Sequence, residues 1–238
     1  MHIHIFIPCF IDQIYPQTGM NMVHVLEKAG CKVHYNPNQT CCGQVAFNSG
    51  FWDEARVVAK KFIDDFRDAE YIVCPSASCT GMVRNYYRDL FEDTQPKNPA
   101  DGLTKRIYEF TEFLVKIVKV IDYGAELNGI ATYHDSCSAL RECQIKVEPR
   151  LLLEKVKGLQ LVEMKNNDEC CGFGGTFSIK FEPISVVMAK QKVENALAAN
   201  ANYIISTDAS CLMNLEGYIR KQKLPIKALH IADVLAGC

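Results

Sequence analysis

Short apolar runs alternate along the chain with longer stretches of helical periodicity. Residues 2–8 read as a strand, with His2 and His4 alternating with Ile3 and Ile5 as the polar face of an edge or first strand. A helix is expected over 20–29, ended by Gly30, and a strand over 31–35. Phe51, Ala55, Val58, Phe62 and Phe66 recur at helical spacing and predict an amphipathic helix over 51–67. Tyr71 to Cys74 reads as a strand, and 80–91 as a helix with Met82, Tyr86 and Leu90 on one side. TQPKNPADG at 94–102 reads as a loop, 106–110 as a strand and 111–121 as a helix. Strands recur near 130–134, 159–163, 202–206 and 226–229, with helices between. Such alternation predicts an α/β fold built on parallel sheet with helices on its faces.

The second half repeats the first. Cys9 follows the run IFIP, and Cys137 follows ATYHDS. Cys41 lies 32 positions after Cys9, and Cys170 lies 33 after Cys137; Cys42 to Cys79 is 37 positions and Cys171 to Cys211 is 40. IVCPSASC at 72–79 matches IISTDASC at 204–211, and both halves close on a similar strand and helix. The pattern predicts two duplicated units, 1–122 and 123–238, joined near DYGAELNG. Each would be a parallel sheet of about four strands. The cysteines would then converge at the C-terminal edge of the strands, where α/β folds place ligands.

Composition narrows the chemistry. The chain holds 26 basic and 28 acidic residues, and its basic residues are scattered rather than striped, which argues against nucleic acid as a partner. MHIHIFIPCF has no basic leader or small-residue cleavage site, and FLVKIVKVI is cut by two lysines, so neither a signal peptide nor a membrane span is expected. A cytoplasmic protein with 12 cysteines is not expected to use them as a disulfide framework. Metal or cluster ligation, thiol chemistry and core filling remain.

Thiolate is a soft ligand for iron–sulfur clusters, zinc and Cu(I), and four per half is the number for a [4Fe–4S] cluster or a four-cysteine zinc site. Structural zinc usually takes Cys-x2-Cys knuckles, and none exists here. Adjacent cysteines project in different directions and suit an object with several metal corners. Glycine after each pair allows positive φ and close approach of the backbone, and the amides of GFGG could point at cluster sulfides. Cys31, Cys74, Cys143 and Cys238 stand outside the repeat and read as core fillers. His134 and His230 lie near the expected site edge, where either could donate to a cluster sulfur or carry a proton; a histidine satisfied at a strand end is the plainer reading. Trp52 reads as packing, and Arg84 and Arg141 as exposed helical arginines. There is no Walker loop and no GxGxxG after a strand.

CCGQVAFNSG, YHDSC, CCGFGGTFSIK and HIADVL together resemble the signatures of the cysteine-rich CCG domain family. That family includes the B component of heterodisulfide reductase, the iron–sulfur component of glycolate oxidase and the small lactate-utilization A proteins, to which the resemblance is closest and covers essentially the whole chain. It implies a cytoplasmic redox subunit that oxidises L-lactate to pyruvate with lactate-utilization B-like and C-like partners, the former carrying ferredoxin-type clusters. It implies cofactor ligands at Cys9, Cys41, Cys42 and Cys79, then Cys137, Cys170, Cys171 and Cys211, holding one or two iron–sulfur clusters, [4Fe–4S] in type. Zinc or an empty site is the expectation for protein handled in air. The heterodisulfide reductase component carries a further cysteine in each unit, where this chain has Ser76 and Asp208. That departure counts against a cluster-dependent thiol or disulfide reductase, which stays the alternative together with a structural zinc protein.

Overall fold

The computed structural model describes residues 1–91 and 98–237. The expected loop before residue 98, and Cys238, lie outside the described residues. The first half forms strands β1 (His2–Ile5), β2 (Lys32–Tyr35), β3 (Ile72–Cys74) and β4 (Ile107–Glu109), all parallel, in the order β2-β1-β3-β4. The second forms β5 (Glu126–Tyr133), β6 (Lys157–Leu161), β7 (Tyr203–Ser206) and β8 (Lys227–His230), also parallel, in the equivalent order β6-β5-β7-β8. The two-unit α/β architecture is therefore the one the repeat predicts. β1 is the first strand, as one of the two expected placements had it, and lies inside its sheet rather than at the edge; the His4 ring meets that of His34 at 4.5 Å.

Alternation along the strands sets the layers. Ile3 and Ile5 point into a core that also takes in Tyr133 and Ile205 of the second sheet, while Phe6 points the opposite way. The shared core is filled by helices Pro16–Lys28, Val147–Leu153 and Ile231–Ala236 and by the helical stretch 110–118, all lying between the sheets. Helices Trp52–Asp65 and Glu182–Ala198 close the outer faces. Full burial of one Phe or Leu contributes about 2–3 kcal/mol, so this joint core is a principal source of stability for both halves.

Contacts between the halves come in reciprocal pairs. Helix Pro16–Lys28 packs on Ile231–Ala236, and their equivalents, Val147–Leu153 and the helix starting at Phe110, pack on each other. The helix starting at Ala77 packs on the turn Ser138–Glu142, and helix Ala209–Gln222 packs on Cys9–Ile14. Swapping the halves reproduces each contact, which is the signature of an approximate two-fold axis.

Helix starts differ from expectation in ways that matter for the thiols. A short helix Cys9–Ile14 precedes one that begins at Pro16 rather than near 20, proline being well tolerated in a first turn. The helix expected from 80 begins at Ala77, with Ser76 as its cap accepting from the Cys79 amide. Cys79 and its counterpart Cys211 therefore sit in helical first turns, not in loops.

A candidate metal centre shared by the two halves

Each Cys-Cys-Gly turn is built on a glycine in the left-handed region. Gly43 has φ 81° and Gly172 φ 88°. This turns the glycine amide back to donate to the first sulfur of the pair, Gly43 to Cys41 and Gly172 to Cys170, each at 3.4 Å. The carbonyl of the second cysteine is tied down from behind. Tyr87 Oη donates to Cys42 at 3.0 Å, and Asn214 Nδ2 donates to Cys171 at 2.9 Å.

The eight expected cysteines assemble as two sets of four. Cys9 Sγ lies 3.9 Å from Cys41 Sγ, and Cys42 Sγ lies 3.4 Å from Cys79 Sγ. Cys41 is held as thiolate, its pKa pulled down to about 2, by hydrogen bonds from the Cys42 and Cys9 thiols with help from the Gly43 amide. The bond to Cys41 correspondingly raises Cys9 and Cys42. The second set repeats the arrangement: Cys137 and Cys171 donate to Cys170, whose pKa is pulled down to about 2, and Cys171 also bonds Cys211. A metal binding all four sulfurs of a set would displace the protons they carry. The donor set thus fits a thiolate-bound metal or cluster, with the thiols of each set already in contact.

Both sets open onto one cleft of about 210 Å³ between the halves. Cys42, Cys79, Cys171 and Cys211 form its buried side; Cys9, Cys41, Cys137 and Cys170 are half-buried toward the opening. Phe10 from the first half and Phe173 of the second CCG turn both line the cleft, their rings meeting edge-on at 5.4 Å. Among the described residues three further cysteines stand outside the two sets, Cys74 packing in the same core as Cys42 and Cys79. Cys31, Cys74 and Cys143 are buried, Cys74 donating to the Ser76 carbonyl at 3.5 Å and Cys143 to the Ala77 carbonyl at 3.4 Å.

Behind the cleft the halves are joined by a polar network that the sequence does not announce. Asp208 is buried and accepts from Ser76 Oγ at 2.9 Å, from the Ser78 amide at 3.0 Å and from Ser136 Oγ. Ser76 and Asp208, equivalent positions in the repeat, thus meet on the two-fold. Glu109, fully buried at the end of β4, accepts from Thr207 Oγ1 across the same boundary. His230, at the end of β8, has Nε2 3.0 Å from both the Pro75 and Thr207 carbonyls, and Nδ1 accepts from the Ala232 amide. It is the satisfied strand-end histidine.

His134 is the opposite case. It is fully buried; the Asn167 backbone carbonyl lies near enough to act on it, but neither ring nitrogen makes a well-formed hydrogen bond among the described residues. One ring nitrogen and the sulfurs of Cys171 and Cys211 all lie within 4.8 Å of one another. Burial, then the nearby Lys192, push its pKa down to about 3. Its neighbour Asp135 is fixed by a two-pronged bond from Arg150, at 2.9 and 2.7 Å. Arg84, read from sequence as exposed, is half-buried and tied to Glu112 and the Ile107 carbonyl, each at 2.7 Å. Arg141 is exposed, and Trp52 stacks on Phe47 at 5.6 Å.

The model of the cysteine-rich domain called CCG matches residues 3–84 and again 131–216. Two curated relatives bear the name lactate utilization protein A. The one from Geobacillus kaustophilus is 45% identical over 99% of this chain and 98% of its own. The one from Bacillus pumilus is 44% identical over 99% of each chain. Among solved structures, a hypothetical protein from Helicobacter pylori superposes with a TM-score of 0.66 at 9% identity, covering 98% of this chain and 48% of that one. This last likeness concerns the fold alone. No helix among the described residues is long and apolar enough to cross a membrane.

Proposed function

We propose, on the premise that this chain belongs to the cysteine-rich CCG domain family, that it is a cytoplasmic iron–sulfur electron-transfer subunit of a complex oxidising L-lactate to pyruvate. The observation that carries the reading is that two complete sets of four thiols open onto one cleft. Cys9, Cys41, Cys42 and Cys79 would hold one [4Fe–4S] group, and Cys137, Cys170, Cys171 and Cys211 the other. Such a group supplies one-electron chemistry when bound. The chain's own residues do the rest. The Gly43 and Gly172 amides donate to the first sulfur of each pair, and Phe10 and Phe173 give the cleft an apolar wall. The names of the relatives support lactate as the fuel. Lactate oxidation moves two electrons and needs a hydride or electron acceptor. With no nucleotide-binding motif in the sequence, either a cluster or a partner takes the electrons, and the onward carriers are assigned to B-like and C-like partner proteins.

A structural zinc site in each half is the second reading, and one observation favours it. The Sγ–Sγ separations of 3.9 and 3.4 Å resemble those around a single ion, whose 2.3 Å bonds set neighbouring sulfurs about 3.8 Å apart. Iron, zinc and acid-labile sulfide measured on anaerobically purified protein separate the two. About eight irons with equal sulfide per chain are expected for two [4Fe–4S] groups. Cys41→Ser and Cys170→Ser should each remove about half of them. About two zincs and no sulfide would overturn the proposal in favour of the structural one.

A further inference from the structure

The two thiol sets are not equivalent behind the sulfurs. Position by position, His134 stands where the first half has Phe6, three residues before the first cysteine of each set. The outer helices align through the turn glycines. A side chain on Gly43 would meet Ala55 and Val58, and one on Gly172 would meet Ser185 and Met188. That alignment puts Lys192 where Phe62 stands. In the first half, Phe6 and Phe62 meet edge-on at 4.8 Å in an aromatic core. In the second, the same two places hold a histidine and a lysine, both buried. Lys192 is accounted for, since its ammonium donates to the Asn166 carbonyl at 2.5 Å. His134 is not: the Asn167 backbone carbonyl lies nearby, but neither ring nitrogen makes a well-formed hydrogen bond among the described residues. Leaving such a group unpaired in the interior costs about 1–3 kcal/mol. The functional groups it faces are the sulfurs of Cys171 and Cys211.

We infer that His134 donates an N–H hydrogen bond to a sulfur of the group held by Cys137, Cys170, Cys171 and Cys211, and so makes the second half the more readily reduced of the two. This rests on the iron–sulfur reading above. Hydrogen bonds to cluster sulfurs stabilise the added negative charge of the reduced state and raise the potential. The first set has Phe6 in that place and gains no such bond. A buried ammonium on the same side of the second set acts in the same direction, and the first set has only the Phe62 ring there. His134 is thus a positioning and tuning residue, not a fifth ligand: four thiolates already serve a cluster of four irons.

The test is a redox titration followed by EPR on the anaerobic protein, its His134→Phe and His134→Gln variants, and metal and sulfide content of all three. The parent should show two transitions. In His134→Phe, which copies the first half, the higher potential should fall toward the lower, with iron unchanged. Gln keeps an N–H and should restore much of the difference. Exchangeable-proton coupling on the second signal should lose the imidazole contribution in Phe, leaving that of the Gly172 amide, and regain an N–H contribution in Gln. Unchanged potentials at full iron content would overturn the inference, as would equal movement of both. Loss of half the iron in His134→Phe would overturn it by making the imidazole a ligand. A parent without iron and sulfide fails the underlying reading instead, and the metal analysis separates that failure from the others.

Discussion

Glu109 is a carboxyl group with no access to water. Its oxygens accept from the Thr111 amide at 2.8 Å, the Glu112 amide at 3.1 Å and the Thr207 hydroxyl. Burial outweighs these bonds and raises its pKa from 4.5 to about 7. Cys74, Cys143 and Tyr133 are the titratable groups that feel its charge. Between those two values the folded chain keeps a proton that the unfolded chain has released. Stability therefore falls as pH rises through that window, by about 3 kcal/mol in all. Denaturant midpoints at about pH 5 and about pH 8 should differ in the parent and converge in Glu109→Gln; an unaltered difference would assign the slope to other groups. The clustering of the eight cysteines was legible because adjacent thiols in a repeat have few other uses. Glu109 was not, because a glutamate ending a strand looks the same in sequence whether it meets water or Thr207. Lys192 did leave a trace: it shares a helix face with Ala189, Val193 and Ala196, where a lysine is out of place.

The two CCG turns share a backbone but not a tolerance. A methyl group on Gly172 would stand 2.7 Å from the Ser185 carbonyl oxygen, whereas on Gly43 its nearest atom is the Ala55 carbonyl oxygen at 3.4 Å. Both substitutions force positive φ on alanine, at about 1 kcal/mol or more. Only Gly172→Ala adds a backbone clash. It should lower stability by about 3 kcal/mol against about 1 for Gly43→Ala, read from thermal unfolding of the metal-free chains. A reversed order would mean that the helix Glu182–Ala198 yields more easily than its packing suggests. The need for glycine was readable from Cys-Cys-Gly, but the closeness of that helix was not. The strands were also readable, as bounded apolar runs. Helix Cys9–Ile14 was missed because six residues are too few for a period to declare itself.

The duplication was plain in the spacing of the cysteines, yet a repeat does not reveal how its copies dock. Here they dock through one apolar core fed by both sheets and through Asp208, whose partners Ser76 and Ser136 come from both halves. The chain should therefore unfold in a single calorimetric transition, with no stage in which one half survives alone; two resolved transitions would mean that the shared core is weaker than its burial. The segment between the helical stretch 110–118 and β5 joins the halves and adds Tyr123 and Ala125 to the same core. Two copies of a single unit, free in solution, could make the same reciprocal contacts. In such a homodimer the two thiol sets would be identical, and any change at one site would be forced on the other. Joining the units in one chain removes that constraint. Phe6 and His134, and Phe62 and Lys192, are where the two copies have since diverged.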